Sequence, residues 1–219
     1  MVPTIDWNKK VWDKAYEWKL DGDEWDDSAR FCGVPYEKWK DSIARTFLIA
    51  NIRMSSEVLE IGPGHGRWSA LLPNRIPAGN LHLVDLSPSC VEFCRKRLAD
   101  YRNVKYYVND GKALPGIADG SIDFVWSFDS FVHIEEPEVR SYAKELYRVM
   151  KPQSMGAIHH PGNPTAQQRQ SGMRSMVDSR KFAQIMAEAG LHVIRQVSEW
   201  GQGCNFALTG DAITVFARP

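Results

Sequence analysis

Past residue 56 the chain alternates between short apolar runs and stretches whose apolar residues recur every three or four positions. The runs near 57–61, 80–85, 104–108, 121–127, 154–160, 191–197 and 212–217 predict strands, and the periodic stretches near 66–72, 88–99, 136–150 and 179–189 predict helices. Regular alternation of the two calls for an α/β domain, a seven-stranded, mostly parallel sheet with helices on both faces. Local signals mark several ends. Ser87-Pro88 reads as an N-cap followed by proline at the first helical position, Asp178 caps the later helix, and Gly190 ends it.

Ahead of that alternation, Trp7 to about Asn51 is helical in pattern and contains Trp7, Trp12, Trp18, Trp25 and Trp39. Asp21-Gly22-Asp23 breaks the segment, and Pro35 starts a second helix through Ile43, Phe47 and Ile49. Residues 1–53 are therefore expected as a helical cap across the crevice of residues 54–219, within one domain. Most of the tryptophans should pack the cap onto the sheet, with one or two left to face a ligand. Pro161 to Val177 has no apolar period, carries Arg169 and Arg174, and is long for a connection, which suits an active-site lid.

Composition narrows the classes. With 219 residues, 43% hydrophobic and 25% charged, the chain can bury one full-sized core. Its 27 basic residues balance 27 acidic ones, so no global field gathers nucleic acid. No apolar run is long enough to span a bilayer, and Met1 to Trp7 lacks the basic start and apolar core of a signal peptide, so a cytoplasmic location is expected. Cys32, Cys90, Cys94 and Cys204 provide no C-x-x-C set for zinc and are expected to stay reduced. Monomer and homodimer are both compatible with this composition.

The chemistry concentrates at Val58-Leu59-Glu60-Ile61-Gly62-Pro63-Gly64-His65-Gly66-Arg67-Trp68-Ser69, followed by Leu81-His82-Leu83-Val84-Asp85-Leu86. A buried strand turns through three alternate glycines toward a helix, and the second strand ends in a carboxylate placed for ribose hydroxyls. The spacing G-x-G-x-G differs from the G-x-G-x-x-G of dinucleotide sites, and Glu60 would repel a pyrophosphate but attract a cationic amino group. The expected ligand is a nucleoside carrying an amino acid.

On these residues the chain resembles the class I S-adenosylmethionine-dependent methyltransferases, from about Glu57 to the C-terminus. The resemblance implies their Rossmann-like fold, with Glu60, Gly62, Gly64 and Gly66 in the first motif and Asp85 on the ribose, next to Leu86. It places Asp110 of Val108-Asn109-Asp110-Gly111 at the adenine amino group, and it sets Ser127, Phe128 and Asp129, ahead of His133, beside the methyl donor. G-P-G-x-G-R-W, V-N-D-G, S-F-D-S-x-V-H and I-H-H are similar to a bacterial group that includes sugar O-methyltransferases, which implies a small hydroxylated acceptor. Pro161 departs from that group's pattern after I-H-H.

Methyl transfer from a sulfonium is an in-line displacement, and a hydroxyl acceptor must lose its proton. Four residues are candidates: Asp129, His133, His159 and His160. His133 is the first choice as base, with Asp129 to orient it. His159 and His160 are adjacent on a strand, so only one can face the site. Magnesium could join Asp129 and the histidine pair, but two imidazoles suit it poorly, and no metal is expected to be required. His65 is expected at a helix start near the donor, His82 and His192 are expected to be structural, and Arg67 pairs with an acidic side chain or reaches an acidic acceptor.

Overall fold

The computed structural model describes residues 3–18, 26–163, 174–203 and 205–219. Seven strands form one sheet: β1 (Val58–Ile61), β2 (Leu81–Asp85), β3 (Val104–Val108), β4 (Ile122–Ser127), β5 (Met150–Pro161), β6 (His192–Val197) and β9 (Asp211–Ala217). Their order is β3-β2-β1-β4-β5-β9-β6. All neighbours are parallel except β9, which runs antiparallel to both β5 and β6. A two-stranded hairpin, β7 (Glu199–Trp200) with β8 (Phe206–Ala207), lies outside that sheet and was not expected from the pattern.

The central strands are apolar throughout because both faces are covered. Val58, Leu83, Phe124, Trp126 and Ala157 point into one cluster, while Leu59, Val84, Val125 and Ile158 point into the other. On the second face, α5 (Glu136–Val149) buries Val139, Tyr142, Ala143, Leu146 and Val149, and α6 (Ser179–Glu188) buries Phe182, Ile185 and Met186. The expected caps form: Ser87 accepts from Cys90 N at the start of α4 (Pro88–Arg97), and Asp178 accepts from Lys181 N.

The N-terminal third begins with α1 (Ile5–Lys10), which continues as a π-helical turn to Ala15. After α2 (Asp26–Phe31) comes α3 (Tyr36–Ile43), extended by π and 3-10 turns to Asn51. Trp39, Ile43, Phe47 and Leu48 are fully buried, so α3 is part of the core rather than an appendage. The helix expected near 66–72 does not form. Ser69–Leu71 and Pro73–Arg75 are separate 3-10 turns instead: Gly66 holds φ +76, outside the helical region, and Pro73 has no N–H to carry an α-helical bond onward.

Candidate functional site

Parallel strands deliver their C-terminal ends to one edge, and the loops that follow β1, β2, β3 and β4 line a pocket there. The first loop needs its glycines. Gly62 has φ +68 and a Cβ on it would sit 2.2 Å from Ser130 Oγ, and Gly64 has φ +55 with the Trp18 ring 2.5 Å from where its Cβ would be. Asp85 joins two loops, taking the Gly64 N–H at 3.0 Å and the Ser87 N–H at 2.9 Å. Burial pushes its carboxyl up to about 6, against the pull of those N–H groups. At neutral pH it remains an acceptor.

After β3, Asn109 organises the turn, donating to Ala113 O and Tyr142 Oη at 2.7 Å and accepting from Gly111 N. Gly111 and Leu86 therefore reach the pocket wall. Asp110 does not. Its Oδ1 accepts from Lys112 N at 3.0 Å and Ala113 N at 2.9 Å in a local turn on the exposed side.

Glu60 is also turned away from the pocket. It is 1% exposed and accepts from Ser69 Oγ at 2.7 Å, and burial pushes its carboxyl up to about 8. That burial favours the protonated carboxyl in the absence of a cationic partner. Gly66 faces α4, with Cys94 Sγ 3.2 Å from where its Cβ would be, and Ser127 donates to Ile61 O at 2.7 Å inside the sheet. Neither is on the pocket wall.

Beyond the glycine loop the pocket is bounded by Phe128, Asp129, Ser130 and His133. Asp129 has φ +61, a left-handed conformation that costs a non-glycine residue about 1–2 kcal/mol. Its N–H donates to His159 Nδ1 at 3.0 Å. His133 ends the 3-10 turn Phe131–His133, its ring 4.7 Å from that of Trp12, and its carbonyl accepts from Asn8 Nδ2 at 2.8 Å. Asp129 and His133 thus border the same stretch of the pocket.

The two strand-end histidines lie behind that wall rather than on it. His159 is fully buried, stacked on Phe128 at 4.3 Å, with Nε2 3.3 Å from Asp211 Oδ2. His160 points to the opposite face and stacks on Phe182 at 4.0 Å, its ring nitrogens engaged by Pro161 O and Thr214 Oγ1. Burial lowers its basicity to about 3, so it stays neutral and far from transfer chemistry, which corrects its candidacy as a base.

The N-terminal segment closes the top. Ile5, Asn8, Trp12, Tyr16 and Trp18 all line the pocket. Asp13 fastens the segment to the start of α4, accepting from Ser87 Oγ at 2.6 Å and Ser89 N at 3.0 Å, and Ser89 Oγ donates to Asp13 O at 3.0 Å. Those bonds hold the Asp13 carboxyl below its usual range. Trp18 stacks on His65 at 4.6 Å, and His65 on Phe93 at 3.7 Å. Tyr16 faces Asp129 and Arg67: burial raises its hydroxyl, Asp129 raises it further, and Arg67 opposes both. Sequence reasoning missed Asn8, Asp13 and Tyr16, which carry no motif.

Trp39 packs the core and Trp7 lies 6.3 Å from the His133 ring, while Trp25 and Cys204 lie outside the described residues. So does 164–173 of the expected lid, including Arg169. Arg174 pairs with Asp211 at 2.7 Å. Among the described residues no group of three or more His, Cys, Asp or Glu is arranged to hold a metal ion, and no helix is long and apolar enough to cross a membrane.

A sequence family described as a methyltransferase domain matches residues 58–153, which hold β1 to β4 and the loops that follow them. The demethylmenaquinone methyltransferase of Staphylococcus aureus is 26% identical over 133 residues, 60% of this chain and 54% of that protein. The chain thus spans about half the length of the curated relatives it matches. Among solved structures, a SAM-dependent methyltransferase from Aquifex aeolicus superposes with a TM-score of 0.64 at 18% identity, covering 93% of this chain and all of that one. The geranyl diphosphate C-methyltransferase of Streptomyces coelicolor, determined with Mg2+, geranyl diphosphate and S-adenosyl-L-homocysteine, gives 0.71 at 13% identity over 100% and 99% of the two chains. The fold is the Rossmann-like methyltransferase fold.

Proposed function

We propose that the chain is an S-adenosylmethionine-dependent methyltransferase acting on a hydroxyl of a sugar or another small hydroxylated metabolite. The observation that carries this reading is the continuity of one pocket, from the glycine loop and Asp85 to Asp129 and His133. In this reading the nucleoside lies against Leu86 and Gly111, its ribose hydroxyls donate to Asp85, and the methionine portion crosses Gly62 to Gly64. The sulfonium then faces the Asp129 loop under the aromatic faces of Trp12, Tyr16 and Trp18, which suit a cation. The acceptor oxygen attacks the methyl carbon in line as the carbon–sulfur bond breaks, and its proton passes to the His133 imidazole. S-adenosylhomocysteine leaves. A cytoplasmic setting and a small-molecule acceptor, with no nucleic acid, belong to the same reading.

A second reading is methylation of carbon or nitrogen. The aromatic walls favour it, since ring faces stabilise a cation formed on a methylated carbon, and one similar structure is a C-methyltransferase. The two differ in their need for a base. With labelled donor and a panel of glycosides, His133→Ala should lower turnover about 100-fold while donor affinity changes less than about threefold. Near-normal turnover in that variant contradicts the hydroxyl reading.

A further inference from the structure

Behind the pocket wall a row of buried polar groups ends on Asp129, a left-handed residue of the transfer edge that is not a glycine. Arg174 contacts both Asp211 oxygens, at 2.9 and 2.7 Å, and Asp211 Oδ2 lies 3.3 Å from His159 Nε2. His159 Nδ1 accepts the Asp129 N–H at 3.0 Å. Both Asp211 and His159 have fully buried side chains. An amide N–H only donates, so Nδ1 is the unprotonated nitrogen and the ring proton sits on Nε2, which faces Asp211 Oδ2 in a charge contact of 3.3 Å. Arg174 balances the charge of that carboxylate. Phe128, stacked on the imidazole, fixes the ring plane from the pocket side.

Asp129 holds φ +61 although it has a side chain, and its neighbour Ser130 is pressed against Gly62. A residue in that conformation persists only where its surroundings over-determine it, and such strain gathers at functional edges. We infer that His159, buried against the Asp211–Arg174 pair with Nδ1 unprotonated, is a positioning residue that pins the Asp129 peptide and so aims the Asp129 carboxylate along the transfer edge of the pocket. The inference rests on the reading of Asp129 and His133 as that edge. His159 touches neither donor nor acceptor and moves no proton. Its role requires an acceptor at the Nδ1 position, whereas simple filling of space behind Phe128 would not.

Substitutions at one position separate these roles in the full-length chain. Asn at position 159 can place its carbonyl oxygen near the Nδ1 position, whereas Gln carries its amide beyond it and Leu has no acceptor. In His159→Asn the Asp129 amide should keep its protection from hydrogen exchange, measured by NMR, and kcat should stay within about threefold. In His159→Leu and His159→Gln that exchange should quicken at least about tenfold, and kcat should fall at least about tenfold with KM and donor affinity nearly unchanged. Asp211→Asn, which removes the charge facing Nε2, should also quicken Asp129 exchange. Unchanged Asp129 exchange in folded His159→Leu or His159→Gln overturns the proposal, as does equal loss in the Asn and Gln variants. If the wild type methylates no hydroxylated acceptor, the functional reading fails while the exchange comparison still decides the role of His159.

Discussion

Glu60 and Asp85 end neighbouring parallel strands, yet their surroundings give them different states. Asp85 keeps two backbone N–H partners and lines the pocket, while Glu60 has a single hydroxyl partner and is sealed beneath the glycine loop. A carboxyl at about 8 when folded and 4.5 when unfolded holds a proton that the unfolded chain has released. Stability must therefore fall as pH rises through that window, by at most about 1.4 kcal/mol per pH unit. His160, lowered to about 3, acts oppositely and loses stability as pH falls through 6.5, but it is common to the wild type and a Glu60 variant, so the difference between the two isolates Glu60. Denaturation curves through and beyond the Glu60 window should show Glu60→Gln gaining on the wild type as pH rises, then levelling above about pH 8. Parallel pH profiles would contradict a buried, protonated Glu60.

The same pair shows what could be read from residue order. Glycine spacing and a strand-end acid state a backbone requirement and a position, both of which are local. The direction of a side chain is less local. Asp110 is captured by the two N–H groups that follow it, and strand parity told that at most one of His159 and His160 faces the site without telling that both lie behind its wall.

At the scale of elements, the central strands were legible because both of their faces are apolar, α4 and α6 because caps and apolar stripes agree with their periods, and α5 from its apolar stripe. The segment after the glycine loop reads as a helix from its apolar spacing, but Gly66 at φ +76 keeps one from starting there. The N-terminal segment was legible as helical and aromatic, but its fastening was not: Asp13 reaches residues 74 and 76 positions away. Asp13 ties the segment to the loop that also carries Asp85. Asp13→Ala should therefore release it, raising the donor's dissociation rate about fivefold, since a hydrogen bond at an exposed site is worth about 1 kcal/mol. Hydrogen exchange over α1 and its π-helical extension should quicken in parallel. Unchanged release and exchange would show that aromatic packing alone holds the segment.

Over the whole molecule, the cap and the sheet share one core. Trp39 is fully buried, packs near Trp200 and Phe128, and donates to Ala207 O at 3.1 Å, joining α3 to the late hairpin. Trp39→Ala should cost about 3–5 kcal/mol and shift one cooperative transition, followed by fluorescence and circular dichroism together. Separate transitions would indicate a cap that folds independently. The segment carrying Asn8, Trp12 and Tyr16 is laid over the strand ends by the bonds of Asn8 to His133 and of Asp13 to Ser87 and Ser89, contacts distant in sequence.

The central claim is that the pocket holds a nucleoside carrying an amino acid, with Asp85 on its ribose. Titration calorimetry with S-adenosylhomocysteine tests it most directly. The wild type should bind one equivalent, and Asp85→Ala, checked for an unchanged unfolding transition, should bind about 1.5–3 kcal/mol more weakly through lost charge-assisted hydrogen bonds. Absence of binding by the wild type, or equal affinity in the two proteins, would contradict the account.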